Sequence, residues 1–126
     1  MDPQQLLSCI SACDACAQAS DVCAASCLRE ADAAAMAQCI ALDIDCAQTC
    51  RLASAAMARD SVMAALICEL CASICEACAE ECERHPMDHC KRCAQACASC
   101  ARECRAMVSA GHRPIQDKPT GGPYAA

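Results

Sequence analysis

Cysteine recurs along this chain at intervals of three, four or seven residues, and no other feature limits its fold so tightly. The first run is Cys9, Cys13, Cys16, Cys23 and Cys27, and the second is Cys39, Cys46 and Cys50. The third is Cys68, Cys71, Cys75, Cys78 and Cys82, and the fourth is Cys90, Cys93, Cys97, Cys100 and Cys104. An α-helix turns once per 3.6 residues, so steps of three and four return to one face. Each run is therefore the a/d seam of a helix, with cysteine where leucine normally stands.

Composition agrees with this reading. Of 126 residues, 18 are Cys and 30 are Ala, while Leu, Ile and Val together number 16 and Tyr124 is the only aromatic. A core of branched aliphatic and aromatic side chains is thus excluded. Good helix formers dominate, β-branched residues are few, and no glycine precedes Gly111. Strong periodicity with moderate charge disfavours disorder. The formal charge of −6 argues against a nucleic-acid binder held by phosphate contacts. No stretch approaches the roughly 18 consecutive apolar residues of a membrane span, so no membrane association is expected. The start, Met1-Asp2-Pro3-Gln4-Gln5, lacks the basic and apolar regions of a secretory signal. The expected location is cytoplasmic, where cysteines are thiols or metal ligands rather than disulfides.

Breaks in the pattern set the helix limits. Asp2-Pro3 suits a helix start, as do Asp32 and then Asp60 or Ser61. His85-Pro86 is the strongest break, and Gly111 ends the last helix. The predicted helices span residues 3–29, 33–57, 61–84 and 86–110. Short connections make neighbours antiparallel. The expected fold is all-α: an antiparallel up-down-up-down four-helix bundle over residues 1–110, with residues 111–126 an extended or mobile C-terminal tail.

Folding the chain at its three turns stacks the seam in layers. Cys13 aligns with Cys50, Cys68 and Cys104; Cys16 with Cys46, Cys71 and Cys100; and Ser20 with Asp43, Cys75 and Cys97. Cys23 follows with Cys39, Cys78 and Cys93, then Cys27 with Met36, Cys82 and Cys90, leaving Cys9 alone past the first layer. Every cysteine falls on the seam. One end continues into Leu6, Ala53, Met57, Ala64 and Met107, near Leu7, Ile10, Val62, Leu66 and Ile67, a hydrophobic plug. The other offers Met36, His85, Met87 and His89, with Asp32 nearby, and reads as a mouth.

Several chemistries use cysteine. A small hydrophobic core residue explains one or two of these positions, not five layers. Disulfides suit same-helix pairs poorly, although interhelical pairs stay open. CxxC occurs five times (13/16, 68/71, 75/78, 90/93, 97/100), without the strand pattern of a thioredoxin-like site. Iron–sulfur clusters usually sit in loops that wrap them. A zinc or broad soft-metal buffer of the metallothionein kind remains the main alternative, since zinc takes four thiolates.

Monovalent copper fits better. Soft thiolates select Cu(I), which accepts two or three ligands. Seven CxxxC pairs (9/13, 23/27, 46/50, 71/75, 78/82, 93/97, 100/104) each suggest a near-linear site. One Cu(I) per deprotonated cysteine leaves a dry core neutral, which predicts about one ion per cysteine. Such a protein is expected to be a store for many Cu(I) ions rather than an enzyme.

The chain resembles the bacterial copper storage proteins, and specifically the branch without an export signal. The resemblance covers about residues 3–112 and rests on the CxxxC pairs, the 68–82 and 90–104 runs, and the His and Met residues at one mouth. It implies cytosolic storage of Cu(I) in the bundle core, and a homotetramer. Beside the eighteen cysteines, four residues are candidate metal ligands. His85 follows Cys82 on the seam and is the first candidate at the mouth. His89 neighbours Cys90, and its ring is expected to point off-axis. Met36 takes a cysteine position in its layer as a thioether. Asp43 is an oxygen ligand, or else accepts a hydrogen bond from Ser20 or twists outward. His112, past the last helix, reaches a site only if the tail folds back.

Overall fold

The computed structural model describes residues 3–111. It contains α1 (Pro3–Leu28), a short 3-10 helix (Ala33–Met36), α2 (Ala37–Ala58), α3 (Ala64–Glu83) and α4 (Asp88–Ser109). Consecutive helices pack side by side, and α1 also packs against α4, which closes a four-helix bundle. As residue numbers rise along α1 from Cys9 to Cys23, their sulfur contacts on α4 fall from Cys104 to Cys90, so the two run antiparallel. The predicted tail beyond Gly111, His112 included, lies outside the described residues, as does Asp2.

The connections follow from local hydrogen bonding. Asp32 accepts from the Ala35 amide at 3.3 Å, as its place in the sequence predicted, but it caps the 3-10 turn before α2. Beyond α2, Asp60 takes a left-handed conformation (φ 56°). The Ser61 amide returns to the Ala56 carbonyl at 2.9 Å and the Asp60 amide to Met57 at 3.1 Å. That is a Schellman ending with aspartate where glycine is usual. Gly111 (φ 67°) takes the corresponding place after α4, and its amide bonds the Val108 carbonyl. Three α-helices start later than predicted, α2 at Ala37 because residues 33–36 form the 3-10 helix. α3 begins at Ala64, because residues 59–63 form the turn, and α4 begins at Asp88, because Met87 before it is extended (ψ 144°).

The longer turn between α2 and α3 changes the layers. Within the pair α1–α2 the predicted register holds, for instance Cys16 to Cys46 at 3.6 Å. The pair α3–α4, however, sits one layer further along. Cys50 meets Cys71 at 3.7 Å rather than Cys68, and Cys16 meets Cys97 at 3.6 Å rather than Cys100. The fold axis of that turn lies between residues 60 and 61, not near 59, because the Schellman ending and Ser61–Met63 precede α3. Cys9 is consequently not isolated: its sulfur lies 3.8 Å from that of Cys104.

The core is a column of sulfur capped by apolar side chains. At the end beyond Cys9, Ala53, Ala56, Met57, Ala64 and Met107 are fully buried, with Leu6, Ile10 and Ile67 packed against them. Leu7, Val62 and Leu66, expected near this plug, are instead more than half exposed. No helix among the described residues is long and apolar enough to cross a membrane.

Candidate metal centre

Helical periodicity brings all eighteen cysteines to the axis, and each is fully buried. Their sulfurs form a nearly continuous column. The Cys100 thiol donates to the sulfur of Cys13 at 3.5 Å. Below it, Cys16, Cys46, Cys75 and Cys97 form a closed group with contacts of 3.6–4.0 Å. Cys23, Cys27 and Cys90 cluster at 3.8–4.0 Å, and Cys39 meets Cys82 at 3.7 Å. Burial pushes the Cys90 thiol up to about 11, and it also raises that of Cys27. Without metal, Cys27 and Cys90 hold their protons at neutral pH.

These spacings match metal–sulfur geometry. With metal–sulfur bonds of ~2.3 Å, two ligands in line are about 4.6 Å apart, three trigonal ligands about 4.0 Å and four tetrahedral ligands about 3.8 Å. The CxxxC pairs stand at 3.8–3.9 Å (23/27, 46/50, 71/75, 78/82, 93/97), closer than a linear site needs. Facing helices bring further thiols to the same sulfur, so sites of three or four ligands are available instead. Cys50 alone lies within 3.6–3.9 Å of Cys46, Cys71, Cys75 and Cys100. Sharing of this kind favours a monovalent ion. The quartets Cys16/Cys46/Cys50/Cys75 and Cys50/Cys71/Cys75/Cys100 have two thiols in common. Two divalent ions on their six thiolates leave two net negative charges in a dry core, whereas six monovalent ions leave none.

One layer breaks the column. Asp43 is fully buried, and its Oδ1 accepts from the thiols of Cys78 and Cys93, each at 3.3 Å, and Cys82 at 3.5 Å. Cys39 reaches Oδ2 at 3.8 Å. Asp43 neither twists outward nor meets Ser20, whose hydroxyl lies 3.6 Å from Cys93 and 3.9 Å from Cys97. Burial, reinforced by the nearby Cys93, pushes the Asp43 carboxyl up to about 8. The carboxyl is therefore neutral inside the metal-free core at pH 7.

At the mouth the two histidines differ from the sequence-based order. His89 points inward, with Nδ1 3.5 Å from both Cys23 and Cys90 and 4.0 Å from Cys27. Its Nε2 lies 3.0 Å from Glu30 Oε2. His85 instead turns Nε2 to Glu81 at 2.8 Å, a carboxylate shared with Arg84, and makes no hydrogen-bonding contact with a thiol among the described residues. Met36 is buried at the end of the 3-10 helix, where it caps α2, as its seam position required. Sequence reasoning missed both carboxylates. Glu81 stands four residues before His85, a readable helical spacing, but Glu30 reaches His89 only through the tertiary fold.

Three comparisons bear on this geometry. A family model described as the copper storage protein, Csp, matches residues 2–109. An uncharacterised cysteine-rich protein of Bacillus subtilis, YhjQ, is 47% identical over 83 residues, 66% of this chain and 77% of that protein. The Cu(I)-bound copper storage protein BsCsp3 superposes with a TM-score of 0.80 at 46% identity, over 82% of this chain and 98% of that one. A cytosolic copper storage protein from Streptomyces lividans, solved with five coppers, gives a TM-score of 0.82 at 36% identity, over 84% and 93% of the two chains.

Proposed function

Because this chain belongs to the copper storage protein family, we propose that it takes Cu(I) as cargo along the whole thiol column and stores it without catalytic turnover. The observation that carries this reading is the complete burial of eighteen thiols in mutual contact. Such a column holds far more sulfur than a catalytic or structural metal needs. Its capacity is about one Cu(I) per cysteine, since each thiolate then neutralises one ion in a dry medium.

The metal-binding residues are the eighteen cysteines with His89, His85, Met36 and Asp43. His89 is the entry ligand at the mouth, with His85 and Met36 beside it. A cytoplasmic location accords with the Streptomyces relative, which is described as cytosolic. A homotetramer accords with the apolar surface of α3, where Leu66 and Leu70 are 60% and 52% exposed.

Metal content per chain tests the proposal. The purified protein is reduced, titrated anaerobically with a Cu(I) complex, desalted, and assayed for copper, zinc and free thiols together. Retention of about one copper per cysteine is expected. Retention of about four zinc ions with little copper would make it a zinc buffer instead. Loss of free thiols in untreated protein, with no metal retained, would identify a disulfide bundle.

A further inference from the structure

We infer that the thioether of Met107 is an additional copper ligand, closing the sulfur column at the end opposite the histidines. The inference rests on the storage reading above and extends it to a residue whose side chain otherwise reads as hydrophobic filling. Met107 follows Cys104 by three residues and continues the rhythm of Cys97, Cys100 and Cys104 along α4. It is fully buried. Its sulfur is not merely nearby: the Cys68 thiol donates to Met107 Sδ at 3.7 Å, so a sulfur lone pair faces the column. Cys9 and Cys104, in contact at 3.8 Å, complete this last group of sulfurs.

The position explains why a thioether is useful there. Elsewhere in the column a thiol has neighbours above and below it, and each ion draws bridging sulfurs from both. Past Cys9, Cys68 and Cys104 no further thiol follows, only Ala53, Ala56, Met57 and Ala64. An ion bound to Cys68 at this end has thiols on one side only, those of Cys9 and Cys104, and Met107 is the sulfur on the other. Another thiolate in that place would add a negative charge in a region without compensating cations. A thioether supplies a soft donor and no charge. The 3.7 Å separation suits two ligands of one bent site, since trigonal ligands at ~2.3 Å lie about 4.0 Å apart.

Selenium in place of the methionine sulfurs tests this directly. Selenomethionine protein, fully loaded with Cu(I), is compared with its Met107→Leu variant by selenium K-edge X-ray absorption. Leucine preserves the volume of the packed end, so the bundle is retained. The chain has six methionines, so a single Se–Cu bond at Met107 contributes about one sixth of a copper neighbour per selenium. That contribution is expected in the parent protein and lost in the variant, even if Met36 adds a shell common to both. The variant is also expected to release one ion faster to a competing chelator. An identical copper shell in the two proteins, at equal copper content, would overturn the Met107 assignment while leaving storage intact. Failure of the parent to retain copper would overturn the storage reading itself, and with it this inference.

Discussion

His89 Nδ1 lies 3.5 Å from the sulfur of Cys23, while Nε2 of the same ring lies 3.0 Å from Glu30 Oε2. A carboxylate can only accept, so Nε2 carries the hydrogen and the Nδ1 lone pair faces the thiols of Cys23, Cys27 and Cys90. The outermost thiols of the column thus end in an imidazole already oriented to receive a metal. His89→Ala should slow copper uptake and removal more than His85→Ala, with little loss of total capacity. Glu30→Ala should reproduce part of the effect, about tenfold. Stopped-flow transfer to and from a chromophoric chelator measures this. Equal rates in the two histidine variants would remove the distinction between them.

Asp43 gives the metal-free protein a pH dependence. Its carboxyl titrates at about 8 in the fold against an ordinary value of 3.8. The folded state therefore holds a proton that the unfolded chain releases, and stability falls as pH rises from about 4 towards 8. The full shift corresponds to at most about 6 kcal/mol. Asp43→Asn should flatten this dependence and raise the midpoint of chemical denaturation at pH 8. An unchanged pH profile for the apo variant would show that Asp43 is ionised inside the core.

Loading should release about one proton per Cu(I), because thiols such as Cys90, at about 11, are protonated beforehand. A pH-stat titration under nitrogen reads the ratio. Copper bound without proton release would mean that the thiols are not the ligands. Acidification should weaken binding for the same reason.

The shared thiols make the column tolerant of single losses. Cys97→Ala removes a sulfur that contacts Cys16, Cys46 and Cys93. Capacity should fall by about one or two ions, and stability by on the order of 1 kcal/mol. If this one change abolished all copper binding, a single cooperative cluster would replace the many-site column. Replacing every cysteine by alanine should abolish binding and leave a helical chain.

Leu66 and Leu70 are one helical turn apart on α3 and line a groove with Ile67, Glu69 and Ser73. If the proposed tetramer uses this face, the parent protein should sediment as a tetramer and a Leu66→Glu/Leu70→Glu variant as a monomer. A tetrameric double variant would place the subunit contacts on another face.

Much of this was legible before folding. Steps of three and four specify helices and put every cysteine on one face, because side-chain direction in a helix depends only on spacing. Soft sulfur in such excess likewise specified the class of metal. Register was harder to read. Whether Cys50 meets Cys68 or Cys71 depends on how many residues the turn after α2 consumes, and that turn is set by the left-handed Asp60 and the hydrogen bond from Ser61 to Ala56. A change in a single turn moves a whole helix pair by one layer.

The sequence by itself determined the four helices, the buried seam and its thiolate chemistry, since these follow from local periodicity and atom type. Only the tertiary structure decided which sulfurs meet, that Asp43 is ringed by thiols, and that His89 rather than His85 faces the column. Those are contacts between residues far apart in the chain. They depend on helix register and on partners such as Glu30, which no spacing along the sequence reveals.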